Sequence, residues 1–315
     1  MTHLTNLVEF PALGLSFPLN RVAFSIGGIN IYWYGVCIAV GMCLALVFAF
    51  RHGVEFGVDA DAMVDVILIG VVMGILCARL YYVAMAPYNY DSLWEVLAIR
   101  DGGLAIYGGI LAAFLTAWLV CRKKKIGFWA LADCCVAGFF IGQAIGRWGN
   151  FFNREAFGGM TELPWRMRLW ISGTYYIDVH PTFLYESLWN VAGLLLLCLA
   201  VDKVRRFDGE NTCFYFLWYG IGRFWIEGLR TDSLYLFNLT LFGERVRVSQ
   251  ALSLVMIVLT AVILLKNRSA DPARMFVNRR LDGQATVLPD RSEERPIADS
   301  PAEGAAEPAD GGDNG

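Results

Sequence analysis

The sequence predicts an all-α integral membrane protein of seven transmembrane helices, with its N-terminus outside and its C-terminus in the cytoplasm. Three observations predict it. Hydrophobic residues make up 57% of the 315 positions and charged residues only 17%, a more apolar balance than soluble domains carry. Seven apolar stretches reach or approach the roughly 20 residues that a helix needs to cross about 30 Å of hydrocarbon. The lysines, finally, all fall at alternate ends of those stretches.

To within a few residues the stretches are 31–50, 63–85, 103–121, 128–146, 182–201, 212–229 and 248–265, the fourth and sixth carrying polar residues. Arg51 follows the first, Arg122, Lys123, Lys124 and Lys125 the third, Lys203, Arg205 and Arg206 the fifth, and Lys266 and Arg268 the seventh. Basic residues concentrate on the cytoplasmic side of a membrane, so these ends face inward. The opposite connections hold only scattered arginines such as Arg100, Arg166, Arg168, Arg245 and Arg247. Two outer connections, 147–181 and 230–247, are long and rich in aromatic residues, Gly and Arg. Function tends to reside in such segments.

The division expected is a transmembrane catalytic domain over 1–268 and a disordered cytoplasmic tail over 269–315. From Asp290 onward eight acids face only Arg291 and Arg295, a net of −6; since the whole chain is −3, the remainder is +3. Rich in Pro, Ala and Gly and nearly without aromatic residues, the tail cannot bury enough apolar surface to fold, and it is assigned no catalytic role. The N-terminus lacks the basic start and small-residue cleavage site of a signal peptide and is read as retained. No internal repeat is visible, which removes support for an inverted-repeat transporter. Eight cysteines lie in or beside apolar runs without a CxxC pair, and there are three histidines. That pattern opposes a disulfide framework or a zinc site, and the cysteines read as small buried hydrophobes.

Ionisable residues inside spans are costly and tend to face a bundle interior. Asp65, Arg79, Asp133, Arg147, Arg223 and Glu227 are such residues here. In WYGIGRFWIEGLR (218–230), Tyr219, Arg223 and Glu227 are four apart and share one helical face. They form either an ion pair that neutralises itself or an anion-facing strip. In GQAIGRWGNFFNREAFGG (142–159), Arg147, Asn150 and Arg154 would share a face if the helix continued through them. Planar guanidiniums suit bidentate grip of phosphate, and the glycines allow close approach; the alternative is a snorkelling arginine over Gly packing. Tyr32, Trp33 and Tyr34 fit an interfacial aromatic belt. Asp133 and Arg79 read as a structural pair or as helix-packing contacts, Asp65 as structural, and His180 as an interfacial histidine.

The run GRWGNFFNREAFG (146–158) closely resembles the signature of the prolipoprotein diacylglyceryl transferases of bacterial membranes. It is joined in order by IYWYG (31–35), DGGLAIYGG (101–109), HPTFLYE (180–186) and YGIGRFWIEGLR (219–230). The resemblance covers roughly 20–266. It implies a seven-helix fold in the bacterial plasma membrane, with the active site toward the outer face. The implied reaction transfers the diacylglyceryl group of phosphatidylglycerol to the thiol of a lipobox cysteine in a prolipoprotein signal peptide, releasing glycerol phosphate. The partners implied are this lipid and this peptide; no cofactor, metal or nucleic acid is expected. By position, the resemblance puts Arg147 on the lipid head group with Asn150, Asn153, Glu155 and Gly158 shaping that site, Tyr34 and Tyr219 lining the cavity, and Arg223 near the reacting phosphate. Where some members carry a histidine, this chain has Tyr107.

The chemistry sets two requirements. A thiol of pKa about 8.5 must be helped toward thiolate, and a departing phosphate gains charge that fixed arginines can stabilise. Arg147 and Arg223 are expected to hold the phosphate from two sides. Tyrosine, with a reference pKa of about 10, is a poor base at neutral pH, so Tyr107 reads as a hydrogen-bond relay or positioner ahead of a proton acceptor. The competing class is a membrane protein that binds or transports anionic lipid or solute with the same arginines. An intramembrane protease lacks a Ser with a His partner or a facing pair of aspartates.

Overall fold

The computed structural model describes residues 6–86, 90, 92–97, 103–231, 235–241 and 244–279. Its long helices are α1 (Trp33–His52), α2 (Ala60–Met85), α4 (Ile106–Lys124), α5 (Phe128–Asn153), α6 (Thr182–Leu196), α7 (Glu210–Leu229) and α8 (Val248–Lys266), with a short α3 (Leu93–Leu97) after α2. A π-helical turn, Leu197–Val201, extends α6. Six of these, all but α3 and α7, are long and apolar enough to cross a membrane, α6 counted with its extension. The chain is therefore a multi-pass, mostly helical membrane protein. The α7 helix is 20 residues long, but the polar residues noted in its sequence keep it out of that set. Side chains such as Leu68, Val72, Leu111, Phe114, Leu252 and Leu259 are exposed around the bundle, as suits a hydrocarbon solvent in which outward apolar surface carries no penalty.

Packing is uneven. The α5 helix is central, with α1 along one side and α6 along another, while α7 pairs with α8 and α2 with α4. The α2–α4 pair is tight because Gly108 has no side chain: a Cβ there would lie 2.3 Å from the Cys77 carbonyl oxygen. This pair joins the rest through an apolar cluster of Phe56, Val58, Met63, Cys121, Leu131 and Cys134, at the end where α2 begins and α4 stops. At that same end Asp133 of α5 serves α7. Its Oδ1 accepts from the Thr212 amide at 2.8 Å and the Thr212 hydroxyl at 2.7 Å, and its Oδ2 from the Gly209 amide at 2.7 Å. These orphan donors of a helix start need acceptors. Asp133 and Arg79 thus do not pair: Arg79 donates to the carbonyls of Glu95, Val96 and Gly103. Asp65 forms an ion pair with Lys124 at 2.5 Å. All eight cysteines are free; Cys37, Cys121, Cys134 and Cys213 are buried, whereas Cys43 faces outward.

The opposite end is not helical, which corrects the all-α expectation. Strands β1 (Leu7–Phe10), β2 (Leu15–Pro18), β5 (Met167–Trp170) and β6 (Tyr176–Val179) form an antiparallel sheet in the order β2-β1-β5-β6. Val8 faces Leu169 and Phe17 in its register. Val8, Phe10, Met167, Leu169 and Val179 bury against Phe151 at the end of α5 and Phe183 at the start of α6. Two further ribbons, β3 (Val22–Ile26) with β4 (Ile29–Tyr32) and β7 (Tyr235–Leu241) with β8 (Glu244–Arg247), lead into α1 and α8. The sheet's apolar alternation spans only four residues per strand, so a search for long apolar runs passes over it.

Ordered contacts continue past residue 268. Residues 272–274 make a 3-10 turn started by Asp271, whose Oδ1 accepts the Ala273 amide at 3.0 Å, and Met275 and Val277 are buried. The rest of the tail, from 280, lies outside the described residues, as do Arg100 and the first two residues of DGGLAIYGG.

Candidate functional site

The ends of α5, α6 and α7 beneath the sheet bring five charged residues together. Glu186, in the second turn of α6, is the hub, its side chain 8% exposed. Its Oε2 lies 2.5 Å from Arg147 of α5. Its Oε1 lies 3.6 Å from Arg223 of α7 and 3.7 Å from Arg230, the residue that ends α7. Arg223 also pairs with Glu227, one turn on, at 2.6 Å, and the Glu227 side chain is only 2% exposed. The pair within the helix exists, and the same guanidinium also reaches Glu186. Arg247, at the start of α8, donates to the backbone carbonyls of Glu227 and Arg230 and fixes that corner.

Three guanidiniums, of Arg147, Arg223 and Arg230, face two carboxylates, of Glu186 and Glu227, within this cluster. The formal excess is one positive charge. Each carboxylate holds its arginines in place in the partly buried site, where an unpaired charge would be costly.

A second group adjoins the first along α5. Asn150 and Asn153 both donate to Oε1 of Glu155, at 3.0 and 3.2 Å. The helix stops at Asn153 because Arg154 and Ala156 take positive φ, 54° and 56°. Arg154 therefore leaves the face it would have shared with Arg147. Its guanidinium donates instead to Asn6 at 2.8 Å, and burial, then nearby Arg21, holds its pKa below the usual arginine value.

After this turn Gly158 threads between α6 and α7. Its amide donates to the His180 carbonyl at 3.0 Å, and the next amide, of Gly159, to Leu229 at 2.8 Å. A Cβ on Gly158 would meet the His180 Cβ at 2.7 Å and the Leu229 oxygen at 3.0 Å. Tyr34 lies flat against Gly149, where a Cβ would come within 2.5 Å of its ring, and Trp33 stacks on Phe152 at 5.0 Å. Tyr219 stacks on Tyr215 at 5.9 Å, and the Tyr215 hydroxyl accepts from Gln143 at 2.6 Å.

Tyr107 is placed differently. It opens α4 on the α2–α4 pair, 63% exposed, beside Tyr81 at 6.3 Å. His180 bonds through Nδ1 to the Tyr185 hydroxyl at 3.2 Å, and that hydroxyl accepts from Trp165 at 2.8 Å. Burial lowers the His180 pKa from its ordinary value. In the four-stranded sheet Arg166 and Arg168 share Asp178, each Nε at 2.8 Å. Arg168, and then Arg166, hold the Asp178 carboxyl below its usual range.

Sequence reasoning missed Glu186 and left Arg230 only as a neighbour of Glu227. The available signal was a lone carboxylate two turns into an apolar span, which has to find a cation. No group of three or more His, Cys, Asp or Glu side chains with metal-binding geometry occurs among the described residues.

A multi-pass helical bundle capped at one end by an antiparallel sheet, with arginines and carboxylates clustered where α5, α6 and α7 meet, defines a polytopic membrane protein with a charged site. A family model described as prolipoprotein diacylglyceryl transferase matches residues 21–266. The chain belongs to that family. It is 42% identical over 272 residues to the phosphatidylglycerol–prolipoprotein diacylglyceryl transferase of Bacillus cereus (strain 03BB102), covering 83% of this chain and 97% of that protein. The identically named protein of Bacillus thuringiensis subsp. konkukian (strain 97-27) matches to the same extent.

Proposed function

We propose that this protein transfers the diacylglyceryl group of phosphatidylglycerol to the thiol of a prolipoprotein's lipobox cysteine, forming a thioether and releasing glycerol phosphate. Family membership and the activity for which the relatives are named support the reaction. The observation that carries the site assignment is the sharing of Glu186 by Arg147, Arg223 and Arg230. In this reading α7 is a seventh crossing, the N-terminus and the arginine cluster lie outside, the C-terminus lies in the cytoplasm, and the membrane is the bacterial plasma membrane. The placement of the lysines supports that orientation.

The sulfur attacks the glycerol carbon that bears the phosphate. A C–S bond forms, the C–O bond breaks, and its electron pair leaves on the phosphate oxygen. Arg147 and Arg223 grip the phosphodiester as it gains charge, with Arg230 adding a third guanidinium. The same positive field favours the thiolate, whose proton passes to solvent or to the departing phosphate. Glu186 and Glu227 act as positioning residues that hold the forks parallel. Asn150, Asn153 and Glu155 shape the head-group site together with Gly158, Tyr34 and Tyr219 line the cavity, and Tyr107 serves as a relay or positioner.

The test is modification of a lipobox peptide by purified protein in phosphatidylglycerol vesicles, followed by mass. A diacylglyceryl mass increase on the cysteine supports the reading. No covalent product, together with movement of anionic lipid or solute across the vesicles, would replace it with transport.

A further inference from the structure

The segment just past α8 occupies a specific place at the end of the bundle opposite the arginine cluster. Phe276 lies across two glycines. A Cβ on Gly57 would meet its ring at 3.3 Å and the Val277 Cα at 3.1 Å, and a Cβ on Gly127 would meet its ring at 2.9 Å. The Phe276 amide donates to Oδ2 of Asp208 at 2.7 Å, and Arg206 donates to the Arg268 carbonyl. Met275 and Val277 are buried on either side. The segment is internally braced: Asn278 donates to the Pro272 carbonyl at 2.8 Å and the Arg279 amide to that of Met275 at 3.1 Å.

The two glycines are informative because of what they join. Gly57 lies between α1 and α2, and Gly127 between α4 and α5, so they mark the two points where the α2–α4 hairpin is tied to the central helices. That hairpin packs on the rest through the apolar cluster at this same end, while the other end of α4 carries the exposed Tyr107. A body held at one end by two short chain crossings turns about those crossings. Phe276 touches both, and Asp208 ties it to the loop before α7.

We propose that residues 271–279 are a hinge pin: they seat in a groove floored by Gly57 and Gly127 and fix the α2–α4 hairpin against α5 and α7. The groove's ligand is this chain's own Phe276 segment, which lies beyond the 21–266 region matched by the family model. The assignment stands whether or not the transfer reaction does, since it rests on packing at the far end of the bundle.

The experiment is amide hydrogen exchange on the full chain in detergent, compared with Phe276→Ala, with a chain ended after Ala270 and with a chain ended after Arg279. The reporters are residues 57–58 and 125–126, whose amides bond within these turns (Gly57 to Val54, Val58 to Gly53, Lys125 to Arg122 and Ile126 to Cys121). Local opening follows the burial that restrains it, so Phe276→Ala and the chain ended at 270 should exchange there about tenfold faster or more. The chain ended at 279 should match the full protein. A peptide spanning residues 268–279, added to the chain ended at 270, should restore slow exchange. Unchanged rates in Phe276→Ala overturn the proposal, and that variant decides alone if the chain ended at 270 is not recovered as a monodisperse protein. Equal acceleration in the chain ended at 279 also overturns it, because the effect would then belong to the acidic tail.

Discussion

Arg147 lies 2.5 Å from Glu186, two residues on different helices that are 39 positions apart, and through that one carboxylate it is linked to Arg223 and Arg230. The link implies that these side chains act as a unit. Arg147→Ala and Arg223→Ala should each lower peptide modification by about 100 to 1000-fold, and the double variant should lose far less than the product of the two. Near-normal turnover in either single variant, measured by mass, would remove the two-arginine grip.

Glu186→Gln keeps the shape and removes the charge. Three guanidiniums are then left opposite Glu227 alone, and breaking a buried pair from one side costs about 3–5 kcal/mol. The expected result is a clear fall in melting temperature in detergent, with transfer reduced at least tenfold. A variant as stable and active as the parent would show that the carboxylate does not organise the arginines.

Gly158→Ala tests the crossing under the sheet. The added methyl meets the His180 Cβ and the Leu229 carbonyl oxygen at 2.7 and 3.0 Å, and neither atom can move without its backbone. Overpacking of this kind costs about 1–3 kcal/mol. It should also shift the loop away from Arg230, with which Gly158 forms a bridge. Loss of transfer together with lowered stability is expected; an unaltered enzyme would mean that the loop has room.

Tyr107→Phe should be mild. The ring sits exposed beside Tyr81 on the α2–α4 pair, and removing one hydroxyl hydrogen bond costs about 0.5–1.5 kcal/mol, a loss within about tenfold. Complete inactivity, with the protein still folded, would make the hydroxyl the proton acceptor instead.

The four-stranded sheet and the start of α6 should be acid-sensitive in two stages. His180 has a lowered folded pKa, so its contribution is present above about pH 6.5 and is lost as pH falls through the folded value. Asp178 has a lowered folded pKa, so its contribution is present above about pH 3.9 and disappears on further acidification. Melting temperatures recorded against pH should flatten below about pH 6.5 in His180→Gln and in the acid range in Asp178→Asn. Parallel curves for parent and variants would contradict the assignment.

The parts of the molecule written in long apolar runs were legible in the sequence. The helices fall close to the expected stretches, and Arg147 and Arg223 emerged as intramembrane charges whose cost demands partners. The shared partner, Glu186, was not legible, because its contacts join residues on three helices whose packing no spacing rule reveals. Arg154 was misplaced because helical periodicity cannot foresee that a non-glycine residue will take φ 54° and end the helix. The sheet escaped because its strands are four residues long and its two hairpins join across more than 150 positions, as Val8 does with Leu169. Phe276 was hidden because it was averaged into a long polar tail whose acids lie from Asp290 onward, and such an average conceals one short apolar group.

The strand nearest the amino terminus is an interior one, with β2 on one side and β5 on the other. During synthesis it must wait for β5, which the ribosome makes only after four of the long helices, α1, α2, α4 and α5. Until Val179 has been made, the roof over this end of the bundle is a single hairpin, with Val8 and Phe10 lacking part of the cluster that buries them. Closure of that roof is therefore a late event in the folding of the chain.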